Sequence, residues 1–145
     1  MRPAAVTELR PAVTTRTQPT AVTGVRVLIA AATAVTGLVH ANLYVDGGYR
    51  AIHVVGPSFL LLSSGAFAVA ALLLISGSPV LRLGAAAVAA GALGGFVMSR
   101  TVGVFGFTEH GLHPAPQALI SLISELSALA LLLWLEVILR RSRMV

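Results

Sequence analysis

The chain has 145 residues, of which 57% are hydrophobic and only 10% are charged, and its formal net charge at pH 7 is +5. Soluble domains are about 45–50% apolar and about 25% charged, so this composition excludes an ordinary water-soluble fold and favours an integral membrane protein. The basic residues lie in flanks and loops without interleaved aromatics, which argues against nucleic-acid binding, and the lack of cysteine excludes disulfides and thiolate metal sites.

In chain order, a Thr-, Pro- and Arg-rich segment comes first and four long apolar runs follow. Residues 1–23 show no apolar periodicity, which predicts a disordered tail. A helix needs about 20 apolar residues to cross a bilayer, and each run is that long. The predicted spans are 24–44, 54–75, 80–99 and 117–139, and a basic tail follows at 140–145. The sequence therefore predicts an all-α, single-domain, four-helix transmembrane bundle with short loops.

The arginines predict how this bundle is oriented. Eight lie in segments that share one side of the membrane, namely Arg2, Arg10, Arg16, Arg26, Arg82, Arg140, Arg141 and Arg143. The opposite side has Arg50 and Arg100. Because positive charge accumulates in cytoplasmic loops, both termini are expected in the cytoplasm. Arg accounts for every basic residue, and both Ala and Gly are abundant. This composition is typical of a GC-rich bacterial genome, so the bacterial inner membrane is the expected location.

Small residues recur on two of the spans and predict close helix packing. Ala87, Gly91 and Gly95 are spaced four residues apart on span three, and Gly37 lies in span one. Small residues allow helix backbones to approach closely in lipid. The pattern fits packing within the chain, and it also fits a seam between two copies.

One acidic residue lies inside a span and is the first candidate for function. An ionised carboxyl group near a helix centre costs about 2.5–3.5 kcal/mol on insertion scales, so the face of span four that carries Glu125 is expected to point into the bundle. Ser121 and Ser124 share that face by helical spacing. The polar residues at similar depth on other spans are Thr36, Ser63 and Ser64, and Arg100 at the end of span three completes the cluster. Two roles are expected for this intramembrane polar cluster. Either it relays a proton or a cation or contacts a ligand, or its hydrogen bonds serve only to pack the helices.

The histidines form a second group, which the predicted topology places on the outer side. The candidate metal ligands are His40, His53, Glu109, His110 and His113. Imidazole and carboxylate bind zinc, copper or iron, so a divalent-metal site is one hypothesis. Haem is a weaker one, because haem needs histidines on facing helices and only His40 is clearly inside the membrane. The alternative is that each histidine is an ordinary interface or packing residue.

Structural roles are also predicted for Arg100, Tyr49 and Glu136. Arg100 is expected either to extend towards the interface or to tie the outer loop to the bundle through Glu109 or Glu125. Tyr49 is expected in an interfacial aromatic belt. Glu136 is expected to pair with Arg140 one turn later.

The stretch from Gly48 to Leu61, GYRAIHVVGPSFLL, with His40 upstream, carries a resemblance. It resembles bacterial four-helix integral membrane proteins that have not been characterised. The resemblance covers the layout of residues 24–139 and implies no particular site or activity.

Three functions follow as hypotheses. The leading one is a non-enzymatic accessory or scaffold subunit, whose partners are the lipid bilayer and either a larger membrane complex or further copies of the chain. The second is a proton- or metal-coupled membrane carrier using Glu125. The third is a metal- or haem-binding redox protein using the outer histidines.

Overall fold

A computed structural model of the protein describes residues 20–142. These residues form four α-helices: α1 (Thr20–Val45), α2 (Val55–Ile75), α3 (Pro79–Thr101) and α4 (Gln117–Arg141). A short 3-10 helix, Tyr49–Ala51, lies between α1 and α2. Each of the four long helices is long and apolar enough to cross a membrane. The prediction of an all-helical chain with four candidate spans is therefore confirmed.

The helix boundaries differ from the prediction mainly at the amino-terminal side. Helix α1 begins at Thr20, so the last four residues of the predicted tail are helical. Residues 1–19 of that tail, with Arg2, Arg10 and Arg16, lie outside the described residues, as do residues 143–145. Helices α3 and α4 each extend two residues beyond the predicted spans.

The helices follow one another around the bundle in chain order. Helix α1 contacts the other three, whereas α2 and α4 lie on opposite sides without mutual contact. Consecutive helices alternate in direction because short segments connect them. Segments 46–54 and 102–116 lie at one end, which we call the loop end. The turn 76–78 and the two ends of the described chain lie at the other, which we call the terminal end.

The terminal half of the bundle is filled by apolar side chains from all four helices. Its buried core consists of Val22, Val25, Ile29, Ala30, Leu73, Ala85, Leu132 and Leu135. An ion pair between Arg82 Nε and Glu136 Oε1, at 2.6 Å, joins α3 to α4 here. The predicted Glu136–Arg140 pair is therefore wrong: the carboxylate finds a cation on the neighbouring helix, and Arg140 is exposed.

The small residues of α1 and α3 have different surroundings. A Cβ added at Gly37 would lie 3.1 Å from the Cβ of Ala66 and 3.3 Å from the carbonyl oxygen of Ser63, so α1 and α2 are in close contact there. In contrast, Ala87, Gly91 and Gly95 are exposed, and no atom of the described residues lies within 4 Å of a Cβ added at either glycine. The close intrachain approach predicted at these three positions is therefore wrong, because all three are exposed and the two glycines border open space.

Candidate functional site

A layer of polar side chains separates the terminal half from the loop half of the bundle. Glu125 is only 1% exposed, and Thr36, Ser121 and Ser124 are also buried. The three residues from α4 share one helical face that packs against α1. The structure thus brings together four members of the predicted polar cluster.

Hydrogen bonds join this layer in a defined direction. The Ser121 hydroxyl donates to Glu125 Oε1 at 2.5 Å, and the Ser124 hydroxyl donates to the carbonyl oxygen of Ser121 at 2.8 Å. Thr36 Oγ1 lies 2.9 Å from Ser124 Oγ. Because a hydroxyl has one proton, Thr36 is the donor to Ser124. The second carboxyl oxygen of Glu125, Oε2, accepts no hydrogen bond from residues 20–142.

His40 lies one turn closer to the loop end on α1, and its tautomer follows from its contact. Nδ1 is 2.9 Å from the carbonyl oxygen of Thr36. A carbonyl only accepts, so Nδ1 carries the proton and the neutral ring has a lone pair at Nε2. The ring packs edge-on against Phe59 with centroids 4.9 Å apart. Nε2 has no partner in the described part of the chain and is not enclosed by it.

A cavity of about 390 Å³ occupies the loop half of the bundle. Its walls are mostly aliphatic and aromatic, and His40, Ser121 and Glu125 contribute polar atoms to it. Gly91 and Gly95 of α3 form part of the opposite wall. Ligand pockets typically measure about 300–1,000 Å³ and combine apolar walls with a few polar groups, so the size and lining suit a small molecule.

A hydrogen-bonded network around Arg100 lines the loop end of this cavity. Its guanidinium Nη2 forms an ion pair with Glu109 Oε2 at 3.1 Å, and its Nε donates to the carbonyl oxygen of Gly111 at 2.8 Å. It also donates to the carbonyl oxygen of His113 and to Ser99 Oγ. Arg100 therefore ties segment 102–116 to α3 through Glu109. This is the second of the two arrangements predicted for Arg100.

Tyr49 has a larger role than the predicted belt position. It is buried, donates its hydroxyl to Glu109 Oε1, and stacks on Phe59 with ring centroids 5.0 Å apart. Burial, together with the hydrogen bond to Glu109, raises the pKa of the Tyr49 phenol above its ordinary value. The short segment between α1 and α2 folds back as a 3-10 helix and returns Tyr49 to the bundle, and no apolar period in the sequence indicates this.

Two serines of the predicted cluster separate. Ser63 is buried where α2 meets Gly37 of α1. Ser64 is exposed and donates to the carbonyl oxygen of Leu60 in its own helix at 2.8 Å. Its predicted inward placement is wrong, because the next residue along a helix is rotated by about 100° and points elsewhere.

The candidate metal ligands do not converge. Within residues 20–142, no group of three or more His, Asp or Glu side chains could hold a metal ion. His40 and Glu109 line the cavity, whereas His53 borders a separate groove. His110 and His113 are exposed, and the backbone of His113 serves as an acceptor for Arg100. The predicted metal cluster is therefore not assembled, because the loop presents its histidines to the outside.

Comparisons of the chain with protein-family models, with curated proteins and with solved structures gave no match.

Proposed function

We propose that the chain is a small membrane carrier, which binds a small molecule in the loop-half cavity and exchanges it for a proton on Glu125. The observation that carries the proposal is a buried carboxyl group that lines a cavity without a cation beside it. Both ion pairs among residues 20–142 involve other glutamates. A carboxyl group in apolar surroundings is stable when it holds a proton or when a cation pairs with it. Glu125 can therefore alternate between these two partners.

The surroundings of Glu125 support binding rather than simple packing. A purely structural carboxyl group would be expected to have both oxygens hydrogen-bonded, since an unpaired buried polar atom is destabilising. Among the donors of residues 20–142, one reaches Oε1 and none reaches Oε2. Oε2 is left for a proton, water or ligand in the cavity, which also has the volume to hold one.

Proton movement in reconstituted vesicles tests this function. Vesicles loaded with a pH-sensitive dye would receive four probes with one phenylethyl body: 2-phenylethanol, 2-phenylethylamine, trimethyl(2-phenylethyl)ammonium and 3-phenylpropionate. We expect at least one probe to move protons faster through the natural chain than through Glu125→Gln. Glu136→Gln is the matched control, because this second glutamate of α4 lies at the terminal end and pairs with Arg82. Equal rates with the natural chain and Glu125→Gln for every probe would refute the carrier.

The orientation belongs to the same proposal. Arg26, Arg82, Arg140 and Arg141 belong to the terminal end of the described chain. We propose that this end faces the cytoplasm of a bacterial cell and that the loop end faces outward, in agreement with the positive-inside bias. The natural chain has no thiol, so a membrane-impermeant maleimide would label intact cells only through an introduced cysteine. We expect labelling of His110→Cys and none of Ser76→Cys.

A second candidate function is the accessory subunit, and the uncovered face of α3 favours it. Ala87, Gly91 and Gly95 are exposed, and the two glycines border the open side of the cavity, so a helix of a larger membrane complex, or of a second copy, would approach closely there and cover it. Extraction in mild detergent followed by size determination tests this candidate. A complex that Gly91→Leu disrupts would support it, and a monomer under the mildest extraction would refute it.

A further inference from the structure

The ring of His40 and the carboxyl group of Glu125 both line the cavity, from two adjacent helices. Side chains tilt towards the amino terminus of their own helix, and α1 and α4 run in opposite directions. His40 accordingly reaches down to the carbonyl of Thr36, and Glu125 reaches up to the hydroxyl of Ser121. The Thr36–Ser124 hydrogen bond joins the two helices beside them. The two side chains are therefore directed towards each other along the bundle axis, His40 towards the terminal end and Glu125 towards the loop end.

Both groups offer acceptors to that ligand. In the neutral ring of His40, Nε2 has a free lone pair because Nδ1 carries the single ring proton. Oε2 of Glu125 accepts nothing from residues 20–142, and the Ser121 proton is already directed to Oε1. A ligand group that satisfies both atoms must donate at least two hydrogens from one centre. An ammonium group with two or three N–H bonds does so, whereas an alcohol has one donor and a quaternary ammonium has none.

The charges lining the cavity favour the same group. The other titratable side chains on its walls are His40 of α1, Tyr49 of the 3-10 helix, Arg100 of α3 and Glu109 of the loop, and α2 contributes none. Arg100 and Glu109 pair with each other, and Tyr49 donates to Glu109. Their charges are thus balanced, and the ionised Glu125 is left with one negative charge uncompensated. A cation is the partner that this cavity lacks.

From these contacts we infer that the cavity binds a protonated primary or secondary amine with a compact apolar body. The ammonium group donates to Glu125 Oε2 and to His40 Nε2, and the apolar body lies among the aromatic and aliphatic walls, which include Phe59 and Phe107. Binding of the cation displaces the proton of Glu125, so one proton leaves as one amine enters. This inference rests on the proposed carrier function and names its substrate class.

Calorimetric titration of the purified full chain in nonionic detergent tests the ligand class directly, with empty micelles as the reference. We expect 2-phenylethylamine to bind at least ~10-fold more tightly than 2-phenylethanol, since hydrogen bonds to charged groups are the stronger ones. The trimethylammonium probe has the same charge without N–H donors, and we expect it to bind more weakly than the amine. These comparisons use the natural chain, so they hold even if a variant fails to fold.

Variants then assign the contacts. Glu125→Gln should weaken amine binding at least ~30-fold, since loss of one partner of a buried charge pair has an effect of that size, and should change 2-phenylethanol binding by less than ~3-fold. Glu136→Gln should leave the binding of both unchanged. His40→Phe removes the Nε2 acceptor, so the advantage of the amine over the trimethylammonium probe should shrink.

The pH dependence provides a further readout. Simple amines remain charged between about pH 5 and 9, because an ordinary amine titrates near 10.4. Amine binding should therefore fall as the pH falls, since protons compete for Glu125. The dependence should be absent in Glu125→Gln, which separates it from titration of His40, Tyr49 or Glu109.

Two negative results have different meanings. If 2-phenylethylamine and 2-phenylethanol bind equally, while another probe moves protons in a Glu125-dependent way, the amine inference is overturned and the carrier function stands. If none of the probes binds and none moves protons in a Glu125-dependent way, both fall.

Discussion

The same substitution, glycine to alanine, should have opposite effects on stability at Gly37 and at Gly91. In a helix interior, alanine is favoured over glycine by about 0.5–1 kcal/mol. Nothing in the described residues opposes this gain at Gly91, since no atom lies within 4 Å of the added Cβ. Gly91→Ala should therefore stabilise the folded chain by about that amount.

At Gly37 a steric term exceeds the gain. The added Cβ would lie 3.1 Å from the Ala66 Cβ, whereas carbon atoms are best separated by about 3.5–4.0 Å. Helix α2 would have to shift by a few tenths of an ångström, and overpacking of this kind costs about 1–3 kcal/mol. The net change for Gly37→Ala should be a loss of about 0–2 kcal/mol, so the two variants should differ by about 1–3 kcal/mol.

Unfolding in mixed micelles, followed by circular dichroism as the denaturing detergent increases, measures this difference. Gly24→Ala is a second control within the same helix as Gly37, because its added Cβ also meets no atom within 4 Å. Equal changes in the free energy of unfolding for Gly37→Ala and Gly91→Ala would refute the close approach of α1 and α2 described above.

Three other predictions concern the ionisable groups outside the cavity centre. The side chains of Arg100 and Glu109 are 13% and 16% exposed, so their ion pair is largely but not fully buried. A double-mutant cycle with Arg100→Gln and Glu109→Gln should therefore give a coupling energy of about 1–2 kcal/mol. The pKa of Tyr49 is raised in the folded chain, so the contribution of this phenol to folding stability is complete below its ordinary pKa of about 10 and is lost at higher pH. The free energy of unfolding measured across the alkaline range should show this loss. The Tyr49→Phe variant should not show it. The pair between Arg82 and Glu136 is partly exposed at the carboxylate, with 42% of the Glu136 side chain accessible, so Glu136→Gln should cost at most about 1 kcal/mol in the same unfolding assay; a loss above about 3 kcal/mol would contradict the exposed character of this pair.

The helices could be predicted from the sequence because lipid imposes a simple rule on backbone hydrogen bonding and length. The inward orientation of Ser121, Ser124 and Glu125 followed from helical spacing around one residue that lipid would strongly disfavour. The inward placement predicted for Ser64 is wrong because depth along a helix does not say to which side a residue points. Helical periodicity gives that direction, and depth alone does not.

Contacts between different helices and loops could not be predicted from the sequence by helical periodicity. Glu136 had cations within reach on its own helix and on α3, and spacing along the chain could not choose between Arg140 and Arg82. The burial of Tyr49 depends on a nine-residue connection that folds back into the bundle, with no apolar period to reveal it. The exposure of Gly91 and Gly95 likewise depends on which side of α3 its neighbours take.

The two sides of the cavity come from different parts of the chain. The acceptors Glu125 and His40 belong to α4 and α1, whereas Gly91 and Gly95 of α3 form a wall with room for added side chains. Under the proposed carrier function, separate substitutions would therefore change the charge and the size of the molecules that the cavity accepts. Bulkier residues at these two positions of α3 would exclude larger ligands and would leave Glu125 and His40 in place.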